Sequence, residues 1–66
     1  MKNNIKVERS RHNITQADLA DAVGVSRQSI NSIETGKFIP SVVLAIRISR
    51  HFSLKVEEVF MMDDVD

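Results

Sequence analysis

Between Thr15 and Lys37 the chain reads TQADLADAVGVSRQSINSIETGK, and its capping residues lay out two short helices joined by a tight turn. Thr15 caps a helix N-terminus, with Asp18 three residues on as its reciprocal partner in a capping box. Apolar Leu19, Ala20 and Val23 follow at helical spacing. Gly24 takes the positive φ that ends a helix sharply, and Ser26 caps a second helix only two residues later. Two helices so close in sequence must cross at a steep angle. In the second, Ile30 and Ile33 face inward, Arg27, Gln28, Asn31 and Ser32 project from other sides, and Gly36 ends the helix.

Steeply crossed helices whose second member has a polar outer face make a helix-turn-helix. The second helix of that motif enters the major groove of DNA and presents its N-terminal side chains to base edges. Here the chain resembles the Cro and phage-repressor type helix-turn-helix regulators, especially their short stand-alone members, and the resemblance covers nearly the whole sequence. It is carried by Arg9, Thr15-Gln16, Leu19-Ala20, Val23-Gly24-Val25-Ser26, Gln28-Ser29-Ile30, Ile33 to Lys37, Pro40-Ser41 and Glu57 to Phe60. Caps, turn glycine, core positions and polar face all fall in one register, which chance rarely produces. The fold so implied is all-α: a compact five-helix bundle of the phage-repressor DNA-binding type, residues 1–66 forming one domain.

A net charge of zero is unexpected for a protein that must neutralise phosphates, but the charges are unevenly distributed. Through residue 50, eight basic residues stand against four acidic ones, leaving +4. The remainder holds Lys55 against Glu57, Glu58, Asp63, Asp64 and Asp66, leaving −4. The chain is basic in front and acidic behind, as expected if DNA meets one face and the tail points elsewhere. There are no cysteines, so disulfides and thiolate metal sites are excluded. No apolar run approaches the roughly 20 residues of a membrane span, and the N-terminus lacks the apolar segment of a secretory signal. A cytoplasmic protein is expected.

Outside the central block, a first helix is expected from Asn3 or Asn4 to about Arg11, with Ile5 and Val7 as its apolar residues and Asn13 as C-cap. Glu8 departs from the family, which commonly has an apolar residue there, so that helix is expected to pack either less tightly or through Val7 instead. Ile14 anchors the connection that follows. Phe38-Ile39-Pro40 reads as an extended link, since the residue before proline is pushed out of the α region. Ser41 caps a fourth helix, Val42 to Phe52. Its apolar residues Val42, Leu44, Ala45, Ile46, Ile48 and Phe52 span roughly 200°, more than one small core needs. A short fifth helix runs from about Val56 to Phe60, with Glu57 and Glu58 in its first turn where carboxylates suit the helix dipole. Met61 to Asp66 form either a short strand or a frayed end.

The resemblance implies roles for particular side chains. Gln16 resembles the glutamine that hydrogen-bonds a phosphate and props the recognition helix. Gln28 stands where family members reach a base edge, and its amide can pair bidentately with adenine N6 and N7. Arg27 has two readings, guanine O6 and N7 or a phosphate. Ser26 serves both as cap and as backbone contact, and Ser29 looks like a phosphate contact. Asn31 and Ser32 lie one turn further along, one of them facing the groove. Lys37 is placed as the family's phosphate-binding residue, with Thr35 beside it. An arginine and a glutamate at the places of Arg9 and Glu34 pair in the family across the first and third helices. Ile39 is unusual at a link position that is often polar.

Catalysis and metal binding find no support in the sequence. His12 and His51 are far apart with no carboxylate or cysteine at ligand spacing, and no phosphate loop or nucleophile motif occurs. The function expected is a DNA-binding transcriptional regulator without cofactor or small-molecule effector, acting as a homodimeric repressor on near-palindromic double-stranded operator DNA. Its dimer seam is expected at Val56, Phe60 and Met61, with Met62 and the surplus apolar arc of the fourth helix. The alternative is an antitoxin-like or adaptor protein that works mainly through a protein partner.

Overall fold

Local side-chain chemistry starts and stops nearly every element. The computed structural model describes residues 1–63, so Asp64 and Asp66 of the expected acidic end lie outside the described residues. The order is β1 (Lys2–Asn3), α1 (Ile5–His12), α2 (Gln16–Val23), α3 (Arg27–Glu34), α4 (Val42–His51), α5 (Val56–Val59) and β2 (Phe60–Met61). The Thr15 hydroxyl accepts the Asp18 amide at 3.0 Å and the Asp18 carboxylate accepts the Thr15 amide at 3.0 Å, so the capping box of α2 is complete. Ser26 and Ser41 cap α3 and α4 by accepting the amides of Ser29 and Leu44.

Besides α2, where Gly24 (φ 80°) and Val25 both donate to the Ala20 carbonyl, three helices end alike, in a residue of positive φ whose amide and whose successor's amide reach back to the last turn. At the end of α1, Asn13 (φ 54°) donates to the Ser10 carbonyl and Ile14 to that of Arg9. Beyond α3, Gly36 (φ 78°) donates to Ile33 and Lys37 to Ser32. After α4, Ser53 (φ 58°) takes the same conformation, with its amide on Arg50 and that of Leu54 on Ser49. The last case has no glycine or asparagine to announce it.

The helices enclose one core of buried apolar residues: Ile5 from α1, Leu19, Ala20 and Val23 from α2, Ile30 and Ile33 from α3, Ala45, Ile48 and Phe52 from α4, and Val59 and Phe60 from the C-terminal turn. Truncating a fully buried member such as Leu19 to alanine typically costs about 2–5 kcal/mol, a large share of what so small a core supplies.

Two expectations for the N-terminus need correction. Asn3 is not helical, because Lys2–Asn3 pairs antiparallel with Phe60–Met61, Lys2 opposite Met61 and Asn3 opposite Phe60. Its side chain holds it there: Asn3 Oδ1 accepts the Ile5 amide at 3.2 Å and Nδ2 donates to the Ile33 carbonyl at 2.9 Å. Val7 does not replace Glu8 in the packing of α1. Val7 is 49% exposed, whereas Glu8 is only 6% exposed. Helical geometry explains this, since with Ile5 in the core it is position i+3, not i+2, that shares its face. The buried carboxylate is held by Arg11 Nη1 at 2.9 Å. At the other end of the chain, α5 stops at Val59 and Phe60 is extended (φ −114°, ψ 131°), so a short two-stranded sheet accompanies the five helices.

Candidate nucleic-acid interface

The amphipathic third helix decides what faces outward. Ile30 and Ile33 are buried against α2, while Arg27, Gln28 and Asn31 are exposed and Ser29 and Ser32 half-buried. At 1.5 Å per residue the eight residues of α3 span about 12 Å, close to the width of the major groove of B-DNA. The outer face thus offers amide, guanidinium and hydroxyl groups over a length that fits the groove.

These side chains fall into two sets. Ser26, Gln28, Ser29, Ser32, Lys37 and Phe38 line a cleft of about 430 Å³ running from the N-terminus of α3 to the link after it. The link is fixed from within: the amides of Lys37 and Phe38 both donate to the Ser32 carbonyl, at 2.9 and 3.2 Å. The Ser26 hydroxyl is engaged with the Ser29 amide at 3.0 Å and the Ser29 hydroxyl at 2.9 Å. Gln28 and Lys37 are exposed, with no hydrogen bond to their side chains among the described residues. Thr35 stands apart, its hydroxyl donating to the carbonyls of Asn31 and Ser32.

The other set is a hydrogen-bonded network that ties α3 to the scaffold. Gln16 Nε2 donates to Asn31 Oδ1 and to Glu34 Oε1, each at 3.1 Å, and Gln16 Oε1 accepts from Arg27 Nη1 at 3.4 Å. Glu34 in turn accepts from Arg9 twice, at 2.6 Å from Nε and 3.1 Å from Nη2, while Arg9 Nη1 reaches the Ile14 carbonyl. The bidentate hydrogen bond to Glu34 raises the Arg9 pKa above its ordinary value, against the opposing effect of burial. Both amide hydrogens of Gln16 are thus spent on α3.

The sequence reading missed Phe38, an aromatic ring 52% exposed at the mouth of the cleft. Its position two residues beyond the helix-ending Gly36 was the available signal. The basic front and acidic back also meet more closely than expected. Asp63 pairs with the Met1 amino group at 2.9 Å, and the Met1 carbonyl lies 3.9 Å from where a Cβ of Gly36 would stand. The amino group holds the Asp63 carboxyl below its usual range. No helix among the described residues is long and apolar enough to cross a membrane.

The sequence has relatives of one kind. The chain is 50% identical over 64 residues to an uncharacterized HTH-type transcriptional regulator of Methanocaldococcus jannaschii, covering 97% of each chain. It is 42% identical to the uncharacterized HTH-type transcriptional regulator YgzD of Bacillus subtilis, again over 97% of each. A third such regulator, from Archaeoglobus fulgidus, is 44% identical, with 97% of this chain and 90% of the relative covered. The family model described as helix-turn-helix matches residues 5–59, from the first core residue of α1 to the end of α5. With caps, crossed helices and outward polar face all in that register, the chain belongs to the Cro and phage-repressor type helix-turn-helix family of DNA-binding transcriptional regulators.

Proposed function

We propose that this protein is a sequence-specific repressor that acts in the cytoplasm as a homodimer, each protomer laying α3 in the major groove of one half of a near-palindromic operator. The observation that carries the reading is the outer face of α3, where Gln28 is exposed and uncommitted beside a cleft shared with Lys37. Gln28 reads a base edge, with adenine N6 and N7 as its best partners. Lys37, Ser26 and Ser29 hold the phosphates, while Gln16, Asn31 and Glu34 keep the helix at its angle. Arg27 and Ser32 supply the remaining contacts, Arg27 reaching a phosphate or a guanine once it leaves Gln16.

A single recognition helix reads only a few base pairs, so a second copy supplies the missing affinity and specificity. Support for the dimer comes from an apolar groove of about 520 Å³ beside α4 and α5, lined among others by Ile39, Val42, Ile46, Val56 and Met62. Phe60 contributes only from the groove floor, being 8% exposed and part of the protomer's own core. Met61 is half-buried in β2. The seam therefore moves outward from Phe60 and Met61 toward Val42 and Ile46, which the expected surplus arc of α4 already included.

Selection of tight-binding duplexes from a random pool, followed by mobility-shift titration against unselected DNA, tests the reading. A two-fold symmetric motif bound at least about 10³-fold more tightly than random DNA is expected. Equal binding to selected and random duplexes would overturn it.

A further inference from the structure

The link after α3 alternates in direction. Phe38 lines the cleft with Gln28, whereas its neighbours Ile39 and Pro40 line the apolar groove beside α4 and α5. An aromatic ring 52% exposed is costly to leave in water, and here it stands among hydroxyl and amide groups rather than in an apolar patch. Its backbone is also anchored. The Phe38 amide is bonded to the Ser32 carbonyl, and Gly36 sets the turn before it. With only two side-chain torsions to fix, the ring can be pre-ordered for a contact at little entropic cost.

We infer that Phe38 is a specificity-determining residue, reading the C5-methyl group of a thymine in the half-site next to the base pair met by Gln28. The inference rests on the reading of α3 as a major-groove element. Among the features that bases expose in that groove, the thymine methyl is the only apolar one, and phenylalanine is one of the side chains that meets it. Gln28 and Phe38 in one cleft are chemically matched to neighbouring A·T pairs, the amide to adenine and the ring to thymine. The hydroxyls of Ser29 and Ser32 line the cleft between them.

The experiment replaces each thymine of the selected duplex in turn by deoxyuridine, which deletes the methyl and leaves base pairing intact. Wild-type protein and the variants Phe38→Ala and Phe38→Leu are titrated against every duplex and against random DNA. At one thymine per half-site, deoxyuridine weakens the wild type by about fourfold, the worth of one buried methyl-sized group. Phe38→Ala loses a similar factor on the thymine duplex but is insensitive to deoxyuridine at that position, and Phe38→Leu keeps part of the sensitivity. Unchanged circular dichroism and unchanged random-DNA binding show that the variants are folded. If Phe38→Ala loses the same factor on both duplexes, the ring touches sugar or backbone and the inference fails while the regulator reading stands. If no thymine matters to the wild type, the inference fails in the same way. If the wild type selects no motif at all, both fail together.

Discussion

At the scale of single residues, Arg9 and Glu34 hold the recognition helix in place. Their side chains are 15% and 6% exposed and joined by two hydrogen bonds, so removing one partner leaves the other charge buried without compensation. Arg9→Ala is expected to lower the free energy of unfolding by about 3 kcal/mol in urea titration. A loss under about 1 kcal/mol would show the pair to be solvated. Lys37 has a different part, because it is exposed and carries no side-chain partner among the described residues. Lys37→Ala should weaken binding to selected and random DNA alike and flatten the salt dependence by about one unit of slope. An effect confined to the selected sequence would make Lys37 a base reader instead. Gln16 shows how a residue's role can be only half visible from sequence. Its position announces a contact near α3, but only folding reveals that Asn31, Glu34 and Arg27 all converge on its amide.

Among the elements, α2 is set most firmly by its own sequence. Thr15→Ala removes the hydroxyl that accepts the Asp18 amide and should cost about 1 kcal/mol of stability by thermal or chemical denaturation. The Thr15 backbone amide and then its hydroxyl depress the Asp18 pKa below the usual 3.8. A depressed carboxyl stabilises the fold fully above its unfolded value and ceases to do so as pH falls through the lower folded value. The cap should therefore be intact at pH 5 to 8 and lost only below pH 3.8, and a carboxyl-carbon NMR titration of Asp18 should give a midpoint under 3.8. A midpoint at or above that value would mean the box is open in solution. The helices were legible because caps, glycines and apolar spacing are short-range signals, and α2, α3 and α4 begin where those signals fall. Of the sheet, only the C-terminal strand was foreseen, as one of two readings of the chain end; Lys2–Asn3 was not, because it becomes a strand only by pairing with a segment at the other end of the chain. The burial of Glu8 was missed for a different reason: its spacing from Ile5 one turn earlier is a short-range signal, but a carboxylate argues against a buried position.

For the whole molecule, the question is how a protomer measuring 32 × 22 × 20 Å covers an operator. Two such bodies side by side span the ~34 Å between successive turns of one DNA face, which suits a seam on the α4 side away from the cleft. Val42 is 76% exposed and occupies the first turn of α4, where a carboxylate suits the helix dipole. Val42→Asp should therefore fold normally yet sediment as a monomer at micromolar concentration, where the wild type is expected to sediment as a dimer, and should lose operator affinity in proportion. A Val42→Asp protein that remains dimeric would move the seam elsewhere, and a monomeric wild type would turn the apolar groove over to a different protein partner. Whether the outer face of α3 reads base edges is decided by comparing Gln28→Ala with the wild type on the selected duplex and on random DNA at the same salt concentration. A base-reading Gln28 entails a loss of about 1–3 kcal/mol on the selected duplex and almost none on random DNA. An equal loss on both, or no loss on either, would contradict it.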